Sequence, residues 1–130
     1  MTGDEIHFLS PEDVLKLHEM QLAHYGGAPG IRDPGLLESA VMMPQASFDG
    51  QYVHEGIYKM AAAYAFHLAE NQPFVDGNKR TALATALVFL DWHQVEIEDP
   101  GEELYDSMIS LAQKKLDKDG LARLFERLAK

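Results

Sequence analysis

Apolar stretches of helical period alternate along the chain with short breaks rich in glycine, proline and aspartate, and the pattern predicts six helices. Ser10-Pro11-Glu12-Asp13 reads as a helix start, with Ser10 at the cap and Pro11 at the first helical position; Val14, Leu15, Leu17, His18 and Leu22 mark its inner side. Tyr25 to Gly30, with three glycines and a proline, is a loop. Asp33-Pro34 then caps a second helix to about Met42, with Leu36, Leu37, Ala40 and Val41 inward. A third helix runs from Ile57 to Asn71 and a fourth from Lys79 towards Trp92, both apolar on nearly every face, as interior helices are. Pro73 forces the chain out of the third helix at Gln72. Asp99-Pro100 starts a fifth helix, to about Leu116, and Asp119 or Gly120 a last one through Leu128, with Leu121, Leu124, Phe125 and Leu128 inward.

Strand signals are few. Pro44 to Val53 breaks the helical pattern, and Phe48-Asp49-Gly50-Gln51 has the Asp-Gly centre of a tight hairpin. Ile6 to Leu9 could form a short strand, and His93 to Glu98, which alternates Val95 and Ile97 with polar residues, reads as an edge strand beside it. No repeat, low-complexity tract or linker interrupts the pattern. The expectation is one mainly helical, all-α domain over residues 1–130, a length sufficient for a real core.

Composition narrows the chemistry. The absence of cysteine excludes disulfides, thiolate metal sites and cysteine nucleophiles, and fits a reducing cytoplasm. MTGDEIHFL lacks the basic and apolar regions of a signal peptide, and no apolar run reaches the length of a membrane span, so a cytoplasmic protein is expected. The formal charge of −10 repels nucleic acid, and a phosphate ligand would have to meet a local positive site. His18 and His24 stand about 120° apart round their helix and cannot share a metal.

One ten-residue stretch, Gln72 to Thr81, supplies such a local site. Gly77 can adopt a conformation closed to other residues, and Asn78 is a strong N-cap for the helix that follows. The free N–H groups of the first turn, the helix dipole and the side chains of Lys79 and Arg80 suit phosphate oxygens. Asp76 suits a magnesium ion, which is usually bound by one or two carboxylates plus substrate oxygens. An Asp-Gly-Asn loop before a helix is by itself ordinary capping chemistry. Lys-Arg in the first turn is not, because cations there oppose the dipole, and a broken local rule points to function.

The stretch resembles the His-x-Phe-x-Asp/Glu-Gly-Asn-Gly/Lys-Arg pattern of the Fic/Doc (Fido) family, with Phe74, Asp76, Gly77, Asn78, Lys79 and Arg80 in register. FLSPEDVLKLHEM, GGAPGIRDPGLLESAV and TALATALVFL look like the death-on-curing branch of bacterial toxins. The resemblance implies the Fido fold, a compact helical bundle with small edge strands and a β-hairpin flap over residues 44–53 that lines up a target peptide. It implies a toxin that transfers the γ-phosphate of ATP to a hydroxyl of elongation factor Tu. Asp76 would bind Mg2+, Gly77, Asn78, Lys79 and Arg80 the nucleotide phosphates, and Gln72, Asp76 and Arg80 would form the catalytic set. AMP transfer is the alternative, disfavoured because Lys79 replaces a glycine and Leu83 stands where the nucleotidylating branch has a second arginine.

The departure is Gln72, at the position of the family's catalytic histidine. A neutral amide can orient a hydroxyl but cannot take its proton near neutral pH. His67, about 140° round the preceding helix, and His93, some 24 Å along the following one, are poor substitutes, which leaves His54 as the other candidate base. A catalytically silent module that binds nucleotide or a partner is therefore a second reading. The inhibitory pattern Ser/Thr-x-x-x-Glu-Gly/Asn of many Fic proteins does not occur, Gln51 to Gly56 coming nearest, so the resemblance implies control by a separate Phd-type antitoxin.

Overall fold

The computed structural model describes residues 5–130. Residues 1–4, part of the stretch read above as lacking a leader, lie outside the described residues. Six α-helices make up most of them: α1 Pro11–Tyr25, α2 Pro34–Met42, α3 Ile57–Asn71, α4 Asn78–Trp92, α5 Glu103–Ala112 and α6 Lys118–Leu128. Two short strands, β1 Ser47–Phe48 and β2 Gln51–Tyr52, pair antiparallel between α2 and α3. The mainly helical architecture is as expected, and none of these helices is long and apolar enough to cross a membrane.

The third helix is the axis of the bundle. Met60, Ala61, Ala62, Ala63, Tyr64, Ala65, Leu68 and Ala69 are all buried, and α3 packs against α2, α4, α5 and α6, most extensively against α4. Alanines on both partners, with Ala82 and Ala86 on α4, let the two backbones approach closely. Phe89, Phe125, Leu90 and Met108 fill the space around them, and buried apolar residues from Leu9 to Phe125 form one cluster. Because α3 and α4 are consecutive and packed together, the loop between them is carried on the most extensively packed pair of helices among the described residues. The fourth helix is less enclosed than its composition suggests, since Leu83, Ala84, Leu87 and Val88 are only half-buried.

Local chemistry explains most element ends. Ser10 and Asp13 form a reciprocal capping box on α1, and Asp33 accepts from the Leu36 N–H at the start of α2. In the hairpin, Asp49 and Gly50 both take positive φ, 54° and 80°, the geometry a two-residue Asp-Gly turn requires. Tyr52 meets Phe8 edge-on, and Phe8 stacks on Phe89, so β2 is seated roughly 16 Å along α4 from its first residue.

Four expectations need correction. Ile6 to Leu9 is not a strand, because its donors go to side chains: the His7 N–H to His93 Nε2 and the Leu9 N–H to the Tyr64 hydroxyl. His93 to Glu98 is reduced to a single bridge, Ile97 with Ala129, so its partner is the C-terminal segment rather than the N-terminal one. The fifth helix spans Glu103–Ala112 instead of Asp99 to Leu116. Asp99 caps it from outside, accepting from the Glu103 and Leu104 N–H groups across the Glu102 residue that takes φ 57°. The last helix begins at Lys118, capped by Asp117 through the Gly120 N–H, one or two residues earlier than expected.

Candidate active site

The chain leaves α3 sharply. Gln72 takes the left-handed conformation, φ 45° and ψ 59°, at the helix end, and Pro73 prevents a return to helix. Arg32 stabilises that exit, with its Nε donating to the Gln72 carbonyl at 2.7 Å and its Nη2 to the Asn71 carbonyl at 2.8 Å. Gly77, at φ 79°, is the left-handed residue from which α4 starts.

Between these two points Phe74 is the anchor. Its ring is buried and stacks on His18 of α1 with centroids 3.8 Å apart, and the His18 Nε2 donates to the Asp76 carbonyl at 2.8 Å. Asn78 is not the N-cap expected of it. Gly77 takes that position, and the Asn78 amide turns back on the loop, accepting from the Phe74 N–H at 2.9 Å and donating to the Phe74 carbonyl at 3.0 Å. The first turn of α4 therefore has no side-chain cap, which keeps its N–H groups available to a ligand.

A second wall comes from the glycine-rich loop after α1. Ile31 bridges Phe74, the Val75 N–H donates to the Gly30 carbonyl, and the Arg32 and Asp33 N–H groups both donate to the Pro73 carbonyl. This loop also fixes Asp76. One carboxylate oxygen accepts from the Ala28 N–H at 3.1 Å and the other from the Gly77 N–H at 2.9 Å. Gly27 is glycine for a reason: a Cβ there would lie 2.9 Å from the Asp76 Oδ2, and its φ is 124°.

The resulting cavity of about 490 Å3 is lined by Gln72, Asp76, Gly77, Asn78, Lys79 and Arg80. All six residues singled out in the sequence thus share one space. Neither Lys79 nor Arg80 is in an ion pair among the described residues, so both charges are free to meet an anion in a protein of net charge −10. No histidine among the described residues lines the cavity. His54 and His67 instead both place Nε2 3.2 Å from Lys118 Nζ, which removes His54 as a base for this site. His93 donates its Nδ1–H to the Phe89 carbonyl, at the far end of α4. No residue of the hairpin lines this cavity either.

Asp76 fits a magnesium ion. Two backbone N–H groups orient it at the cavity edge, each oxygen keeps lone pairs, and no cluster of three or more metal-ligating side chains competes with it among the described residues. A single carboxylate suits an ion that takes its remaining ligands from phosphates and water.

Sequence reasoning missed three participants. His18, Arg32 and the Gly27–Ala28 segment all support the loop from distant positions. The available signal was His18 itself, a polar side chain on an apolar helix face that must find a partner when buried.

A family model described as the Fic/DOC family matches residues 8–90, which run from the start of α1 through the site and most of α4. The chain is 33% identical over 120 residues to "Protein kinase doc" of Escherichia phage P1, covering 92% of this chain and 94% of that protein. It is 37% identical over 117 residues to "Toxin Doc" of Mycolicibacterium smegmatis, covering 88% of each.

Proposed function

The chain belongs to the Fic/DOC family, and on that footing we propose that it is the toxin of a toxin–antitoxin module, acting as a kinase that transfers the γ-phosphate of ATP to a protein hydroxyl. One observation carries the reading: Asp76, Lys79 and Arg80 line the same cavity as the uncapped first turn of α4. Phosphoryl transfer depends on positioning and on offsetting charge at the transferred group, and these parts are suited to both. Lys79, Arg80 and the helix N–H groups bind the phosphates, and Asp76 holds the magnesium ion. Held by Asp76, the ion would supply positive charge that offsets the charge of the phosphates.

Gln72 stands beside the acceptor. Its amide orients the attacking hydroxyl by hydrogen bonding and takes no proton. A loose transition state asks little of the nucleophile early on, so this reading expects a slowed reaction, short of the roughly 10²- to 10⁴-fold that general-base assistance typically gives. Elongation factor Tu is the target and a Phd-type antitoxin the regulator that the resemblance implies. A second reading, a nucleotide-binding module without transfer, is favoured by the absence of any histidine from the cavity lining.

Label transfer in a bacterial lysate decides between them, using ATP labelled at the γ or the α phosphate, with the protein and Gln72→His side by side. Transfer from γ alone, faster in Gln72→His, is the expected result. Transfer from α alone would replace phosphorylation with AMP transfer, and silence from both proteins would favour the binding module.

A further inference from the structure

Arg80 is held in an unusual way for a cation in an acidic protein. Its guanidinium lies 3.8 Å from the ring centroid of Tyr25, the last residue of α1, and 4.7 Å from that of Tyr105, in the first turn of α5. It has no carboxylate partner among the described residues, although Glu102 and Asp106 line the cavity next to it. An ion pair would occupy the in-plane N–H donors, whereas stacking against ring faces fixes the plane and leaves those donors open to oxygens. Tyr25, Arg80 and Tyr105 also form the partition between two cavities, the 490 Å3 site and an adjoining space of about 610 Å3 floored by Leu83, Ala84 and Leu87 of α4. The clamp thus joins three helices at a motif side chain that faces the candidate phosphate site.

We propose that Tyr25 and Tyr105 are positioning residues, which hold the Arg80 guanidinium edge-on to the nucleotide phosphates and act on binding through Arg80. The inference rests on the nucleotide-binding reading given above. Tyr25 is 56% exposed, so truncating it opens no core and leaves folding intact. Without its rings Arg80 keeps its charge but loses its orientation, and must be ordered by the ligand itself.

Calorimetric titration of ATP·Mg2+ tests the clamp without requiring turnover. Tyr25→Leu and Tyr105→Leu are each expected to weaken binding about 3- to 30-fold, the range of a cation–ring contact, while Tyr25→Phe and Tyr105→Phe stay within about 2-fold because the ring faces remain. In an Arg80→Ala background the same Leu substitutions are expected to change nothing further, since the group they position is gone. In label transfer the Leu variants raise KM for ATP more than they lower kcat. Equal losses with and without Arg80 would mean that the rings touch the nucleotide directly, and unchanged affinity in the Leu variants would mean that they only pack; either result overturns the clamp alone. Failure of the unsubstituted protein to bind ATP would overturn the nucleotide reading and the clamp with it.

Discussion

Gln72 combines two departures from the ordinary: a non-glycine side chain in the left-handed region, and an amide where the family pattern has a base. The conformation costs about 1 to 2 kcal/mol for a side chain with a Cβ, and it is maintained by Pro73 and the two hydrogen bonds from Arg32. Gln72→Gly is therefore expected to raise stability by about 1 kcal/mol in a denaturant titration while slowing label transfer further. A fall in stability would mean that the Gln72 side chain makes contacts outweighing its backbone strain. Histidine is among the residues that tolerate this region, so Gln72→His should leave stability unchanged and alter rate alone. His18 presents the opposite case, a side chain with no chemistry of its own in the cavity and a large structural burden. His18→Ala is expected to cost about 2 to 4 kcal/mol, since it removes the stack on Phe74 and leaves the Asp76 carbonyl without its donor. A loss below about 0.5 kcal/mol in urea unfolding would show that the loop stands without it. At this scale Asp76, Lys79 and Arg80 were legible because their types and spacing break or satisfy local rules. The inward turn of Asn78 was not, because an asparagine beside a glycine serves equally well as a helix cap or a loop brace, and only the position of Phe74 decides between them.

Elements with strong periodicity were read well, and those ended by side chains from elsewhere were not. The bounds of α3, and of α4 to within one residue, followed from apolar runs closed by Pro73 and opened after Gly77. The fifth helix was placed too early because Asp99-Pro100 looks like a start, whereas Asp99 reaches four residues ahead to cap a helix beginning at Glu103. Core truncation also depends on which face of α4 a residue occupies. Phe89→Ala is expected to cost about 3 to 5 kcal/mol because Phe89 is fully buried, and half-buried Leu87→Ala markedly less, although the sequence suggested equal burial. The loop after α1 was read as a plain connector, yet its Gly27 faces the Asp76 carboxylate. Gly27→Ala should push Asp76 aside and weaken the Mg2+ dependence of ATP binding, at a stability cost of about 1 to 3 kcal/mol from the φ of 124°. Unchanged Mg2+ titrations in that variant would show that the carboxylate has room to shift.

Across the whole molecule, charge is arranged so that the cations of the site stay free while another lysine is committed to structure. Lys118, at the start of α6, points its ammonium at the imidazoles of His54 and His67, 51 residues apart from the nearer one in sequence and therefore invisible to any local pattern. Burial and then the Lys118 charge push His67 down to about 4, with His54 lowering it and Glu70 raising it to smaller extents. The same two leading causes lower His54, against smaller contributions from a Met43 backbone bond and Asp119 that raise it and one from Lys59 that lowers it. The consequence for stability has a definite sign. Below pH 6.5 the unfolded chain accepts a proton at His67 that the folded chain refuses until about pH 4, so stability is complete above 6.5, falls as pH drops through that window, and levels off below it. His67 alone accounts for about 1 to 3 kcal/mol of the loss, and His54 adds in the same direction. Urea unfolding from pH 7.5 to 4 measures it, and His67→Gln, which cannot titrate, should flatten the variant's own stability curve over that range, so that the difference between variant and parent changes with pH. Parallel curves for the two proteins would mean that His67 protonates equally well folded and unfolded, and that Lys118 swings away from it as the proton arrives.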